Sequence, residues 1–98
     1  MTIATSTAAG VAALPPQVTL AEAGRTLFEL KQALSQQAGP VVTLDAASLR
    51  VFDSSAVAVL LELRRQLRAE GKTLQVNNWP RRLEDLMGLY GVGELLAP

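Results

Sequence analysis

The residues best placed to do chemistry are Asp53, Ser54 and Ser55, three small polar residues in a row. They stand at the mouth of an apolar segment that turns charged by Glu70. Asp and Ser are favoured at helix N-caps, because each offers an oxygen to a free first-turn amide. Capping alone is one complete reading of the tripeptide. The other is a hydroxyl presented at the positive end of a helix. A phosphoryl group there brings negative charge to where the free amides and the macrodipole favour it. Such a group can make or break a contact with another protein.

The rest of the composition narrows the chemistry. The 98 residues include no His and no Cys. That removes the commonest general acid–base group, the commonest metal ligand and any thiolate nucleophile. No G-x-x-x-x-G-K-[ST] run occurs, so there is no phosphate-binding loop of that kind. Without clustered carboxylates the usual nucleophile–base pairs cannot be assembled. The expectation is a protein that is not an enzyme, with no catalytic, cofactor-binding or metal-binding residues. Asp45 invites comparison with a phosphoacceptor, but no acidic pair follows the first strand to hold a metal ion beside it. Lys and Arg number 9 and Asp and Glu number 9. This balance lacks the basic footprint of a nucleic-acid binder. No apolar run approaches the roughly 18 residues of a membrane span. The start, MTIATSTAAG, lacks the basic and apolar regions of a signal peptide. The expected address is the cytoplasm.

The Asp-Ser-Ser run needs a strand before it and a helix behind it. Val41 to Leu44 is a continuous apolar run that reads as a buried central strand. A helix from Ser54 to Glu70 follows, stopped by Gly71. Ala56, Leu60, Leu63 and Leu67 form the stripe that should face the sheet. The first half carries further apolar residues, Val57, Ala58, Val59 and Leu61. At about 3.6 residues per turn, Ser54, Ala58, Leu61, Arg65 and Arg68 line another side. That side reads either as the edge of a wide buried stripe with solvated arginines, or as a partner-binding face with an arginine rim. Trp79, the only tryptophan, reads as a cap on the core or as a binding residue.

The remaining elements follow from punctuation and spacing. Residues 1–10 read as a flexible start or a weak edge strand near Thr2 to Thr5. Val11 to Leu14 is a short strand stopped by Pro15-Pro16, and the spacing suggests an N-terminal hairpin. Thr19 and Glu22 form a capping-box pair, opening a helix to about Gln37. Its apolar face is Leu20, Ala23, Leu27, Leu30 and Leu34, and Gly39-Pro40 ends it. Thr73 to Val76 is a strand. A third helix runs from Pro80 or Arg81 to Tyr90, burying Leu83, Leu86, Met87 and Tyr90. Gly91 closes it, and Val92, Leu95 and Leu96 should tuck onto the core. The order β-β-α-β-α-β-α predicts one α/β domain over 11–98. It should hold a mixed sheet of about four strands, three helices and right-handed crossovers.

Three segments carry a resemblance: LDAASLRVFDSSAVAVLLEL, the strand TLQV, and LEDLMGLYGVGELL. A strand leading through D-[ST]-[SG]-[GA] into a Leu-rich helix, with a later L-Y-G-V-x-x-L-L, resembles the STAS domain family. The resemblance spans about Val11 to Leu96 and implies a protein-binding module without cofactors. Two classes of the family come into question. One is the small STAS subunit of the Mla-type ABC transporter, which maintains outer-membrane lipid asymmetry. The resemblance to it implies a cytoplasmic protein at the inner membrane, bound to the ATPase subunit and through it to the permease. Its contact would use Asp53, Ser54, Ala58, Leu61, Arg65 and Arg68, with Ser54 at the Thr position of that class. The length and the L-Y-G-V-x-x-L-L ending favour it. The other class is the anti-sigma factor antagonist, whose D-S-S-G motif a serine kinase phosphorylates on the second Ser. That position is Ser55 here, with Ala56 in place of the Gly.

Overall fold

The computed structural model describes residues 11–89 and Gly91. Within them the order is β1 (Val11–Ala13), β2 (Gln17–Val18), α1 (Leu20–Ser35), β3 (Val41–Asp45), β4 (Val51–Phe52), α2 (Ser54–Ala69), β5 (Thr73–Asn77) and α3 (Arg81–Leu89). The α/β class and the three helices are those expected from the sequence. Among the described residues strands number five rather than about four, because β2 and β4 are two-residue pieces.

Strands β1, β3 and β5 form one sheet in that order, and both pairings are parallel. Parallel neighbours need a crossover, and α1 and α2 supply the two. The described sheet is therefore parallel. The first strand of the expected hairpin, and the expected packing of Tyr90, Val92, Leu95 and Leu96, lie outside the described residues. Strand β3 is covered on one face: Val42 and Leu44 are fully buried while Val41 is half exposed.

Both crossover helices pack on that covered face and run side by side. Leu30 and Leu34 of α1 and Leu60, Leu63 and Leu67 of α2 are buried with Val42, Leu44 and Val76 of the sheet. The α2 stripe is as expected. The α1 stripe needs one correction, since Leu20 is 80% exposed and Thr26 is buried instead. Leu20 is the first helical residue, and helical side chains lean toward the N-terminus. Its side chain therefore points beyond the core. At the far end, Lys31 of α1 and Glu70 form an ion pair, and Ser35 Oγ donates to Glu70 at 3.0 Å. Lys72 Nζ donates to the carbonyls of Gln37 and Gly39 at 3.0 and 3.2 Å, in the loop that follows helix α1.

Two local devices set the sheet. Leu14 N–H donates to Asp45 O at 2.8 Å, so odd-numbered β3 residues present their backbone toward β1. Thr43 is among them, and the Gln37 side chain meets it: Thr43 N–H donates to Gln37 Oε1 at 2.8 Å, and Gln37 Nε2 donates to Thr43 O at 3.0 Å. A side-chain amide thus imitates a strand residue at the middle of β3. At the other end, Asn78 has φ of 60° and its Nδ2 donates to Asp45 Oδ1 at 3.0 Å. Asn tolerates this left-handed backbone better than most residues.

Candidate functional site

The site is built by the two short strands that sequence reasoning missed. Val18 of β2 stands opposite Phe52 of β4 in a parallel ladder. Pro16 O accepts from both Arg50 N and Val51 N, at 2.8 and 3.0 Å. The residue after each strand is a helix N-cap, Thr19 for α1 and Asp53 for α2. The ladder therefore sets two helix N-termini side by side. Val18 and Phe52, one residue before each cap, are buried, as is Val57 four residues into α2. Phe52 and Val57 occupy the positions of a hydrophobic staple, which fixes how the chain enters the helix.

Asp53 serves both helices. Its Oδ1 accepts from Ser55 N at 2.8 Å, and its Oδ2 lies 3.4 Å from Leu20 N. The Ser55 amide, foremost, holds the Asp53 carboxyl below the usual aspartate range. On α1, Glu22 Oε1 accepts from Thr19 N at 2.8 Å and from Thr19 Oγ1 at 2.7 Å, so the reach-back half of the expected capping box is made. The Thr19 amide is also the first reason that the Glu22 carboxyl is held low.

Of the expected contact residues, Asp53, Ser54, Ala58, Arg65 and Arg68 are exposed, and Leu61 is half-buried against the core. They share the outward side of α2. Arg65 is not free there: Glu62 binds it through two hydrogen bonds, and Gln66 Nε2 donates to Glu62 at 2.9 Å. Hydrogen bonding from Arg65 lowers the Glu62 carboxyl from 4.5 to about 2. Of the extra apolar residues in α2, Val57 and Val59 are buried and belong to a wide core stripe. Ser55 is half-buried, and Ala56 beside it is 1% exposed. The Ala56 methyl is turned into the core.

A groove opens beside Ser54, between the start of α2 and α3. Phe52, Leu86 and Leu89 give it apolar walls, and Asp53, Arg82 and Asp85 stand around it. The Arg82 guanidinium lies 5.2 Å from the Phe52 ring centroid, a cation–π distance. Leu89 is 81% exposed, so it is available as surface. Sequence reasoning placed none of these α3 residues at the site. No local signal marks them, since they meet the start of α2 only through tertiary packing.

Two other residues have structural roles. Asp45 accepts from Ala47 N at 2.9 Å and from Asn78, which holds its carboxyl low and ties a turn rather than a phosphoryl group. Trp79 packs half-buried against the core, as a cap would, and its Nε1 has no partner among the described residues. Among the described residues no three His, Cys, Asp or Glu converge on a metal position, and no helix is long and apolar enough to cross a membrane.

Fold and site together define a small α/β crossover domain whose second helix offers a polar N-terminus and a partly apolar outer face. The family model described as "Mlab, STAS domain" matches residues 1–97, and the chain belongs to the STAS domain family. Domains of this family are typically binding and regulatory modules rather than enzymes. No curated protein matches the chain.

Proposed function

We propose that this STAS domain is the non-catalytic subunit of a Mla-type phospholipid-trafficking ABC transporter, bound to its cytoplasmic ATPase subunit. The observation that carries the reading is the outer face of α2. Ser54, Ala58 and Leu61 leave a small-residue, partly apolar strip beside a helix N-terminus, with Arg65 and Arg68 at its end. Small residues permit close approach of a partner, and arginines at a rim are common in interfaces. The family description, which names Mlab, supports the same choice. In this reading the protein lies in the cytoplasm at the inner membrane, held there through the transporter, and hydrolyses no ATP itself.

The test is co-purification with the ATPase subunit. Ser54→Arg should abolish binding while thermal unfolding stays that of the wild type, because Ser54 is exposed. Wild-type yield of the complex from Ser54→Arg would remove this surface from consideration.

One feature favours a second reading, an anti-sigma factor antagonist switched at Ser55. The run Asp53-Ser54-Ser55 has the D-S-S order of that class, and Ser55 stays partly exposed in the first turn of α2. Incubation with an anti-sigma serine kinase and ATP, followed by mass spectrometry, separates the two. A phosphate on Ser55 supports the switch, and its absence with active kinase counts against it.

A further inference from the structure

Ser54, Ala58, Leu61, Arg65 and Arg68 follow one another at alternating steps of four and three residues. That spacing keeps a seam turned toward a second helix crossing at a shallow angle of about 20°. From Ser54 to Arg68 the seam is about 21 Å long, room for several turns of a docked helix. Its chemistry changes along that length. At the Ser54 end lies the α3 groove, where the carboxylates of Asp53 and Asp85 outnumber the single guanidinium of Arg82. Among the described residues neither carboxylate has a cation within salt-bridge distance, and Arg82 lies over the Phe52 ring. The middle of the seam is Ala58 and Leu61. At the far end Arg65 is neutralised by Glu62, whereas Arg68 has no carboxylate partner among the described residues.

Resting on the docking reading above, we infer that the partner seats one amphipathic α-helix along α2, in a fixed direction. A basic residue of that helix lies over Asp53 and Asp85, apolar residues lie against Ala58, Leu61 and Leu89, and an acidic residue lies over Arg68. The charge order of the face selects this occupant. A helix laid the other way would set its acidic end against two carboxylates, and like charges across an interface are strongly disfavoured. The groove walls of Phe52, Leu86 and Leu89 extend the contact from α2 onto α3.

The experiment measures affinity of the full chain for the purified ATPase subunit, with charge reversals at exposed positions. Asp85→Lys and Arg68→Glu should each weaken binding about tenfold or more. Glu84→Lys, exposed on α3 but outside the groove, should leave it within about twofold. Circular dichroism confirms that each variant is folded, and Asp85→Asn gives a milder second reading at the same position. Wild-type affinity for both Asp85→Lys and Arg68→Glu, or tighter binding by either, overturns the proposed direction. If those two bind normally while Ser54→Arg does not, the docking face stands and only the helix direction falls. If the wild type itself does not bind the ATPase subunit, the docking reading falls and this inference with it.

Discussion

Asp53 Oδ2 stands 3.4 Å from the backbone nitrogen of Leu20, joining the first turn of α2 to the first turn of α1. The same carboxylate caps its own helix through Ser55 N. Two positive helix ends therefore converge on one negative side chain, which favours the ionised form. Asp53→Ala should speed hydrogen exchange at both the Leu20 and Ser55 amides. Asp53→Asn should have a smaller effect, since its amide oxygen can still accept. If exchange changes at Ser55 alone, Asp53 caps α2 without coupling the two helices.

A second prediction concerns Gln37. Its amide occupies the Thr43 N–H and C=O on the β1 side of β3. Gln37→Ala should cost about 1–3 kcal/mol in urea unfolding, because it leaves partly buried backbone groups without those partners. Gln37→Glu keeps the acceptor for Thr43 N–H but loses the donor, so it sets a charged oxygen near the Thr43 carbonyl. It should also destabilise. Unchanged unfolding midpoints in both variants would show that water replaces the amide at no cost.

The pH dependence follows from five carboxylates. Glu22, Asp45, Asp53, Glu62 and Glu70 are all held below their ordinary values, Glu70 first by hydrogen bonding from Lys31. A folded-state value below the unfolded one means that the unfolded chain binds more protons in between, so stability rises with pH across that window. Each contribution is fully present above the unfolded value and is lost as pH falls through the folded one. For Glu62 the window runs from 4.5 down to about 2. Thermal unfolding should therefore be acid-sensitive below about pH 4.5, and added salt should flatten the effect because these residues are exposed or only half-buried. With no histidine in the chain, the melting temperature should hold nearly level from about pH 6 to 8. A pronounced step in that range would contradict this assignment of the titrating groups.

Leu63 tests the core. It is fully buried in α2, beneath the outer seam and on the opposite side from it. Leu63→Ala should cost about 2–5 kcal/mol of stability while leaving the outer face chemically unchanged. Partner affinity measured well below the lowered melting temperature should then stay near wild type. A large loss of affinity in a folded Leu63→Ala protein would show that the face depends on the core in a way that exposure alone does not reveal.

What the sequence made legible was whatever depends on neighbours within a turn or two. The Thr19–Glu22 pair, the Asp53 cap, the Leu60–Leu63–Leu67 stripe and the apolar run at β3 all carry their own local signal. Strands β2 and β4 do not. Two residues have no periodicity, and Gln17–Val18 is a strand only because Val51–Phe52 lies beside it. Leu20 fits the apolar pattern of α1, yet its position in the first turn carries it past the core. The α3 groove was hidden for the same reason as the short ladder. Phe52, Asp85 and Leu89 come together only through tertiary packing, and none of them is unusual where it stands in the chain.

The parallel pairing of the three described strands also bears on how the protein comes to be folded. Neither ladder of the main sheet can close between adjacent segments, since β1 reaches β3 only across α1 and β3 reaches β5 only across α2. Loop-closure entropy must be met before either pairing is rewarded, which places such topologies toward the slower end for domains of this size. On the ribosome, β1 cannot pair with β3 until α1 and β3 have both emerged. β3 then waits in turn for β5, with its edge open for the time it takes to make another helix. During that interval the Gln37 amide, made just before β3, is already at hand to occupy part of the strand's other edge.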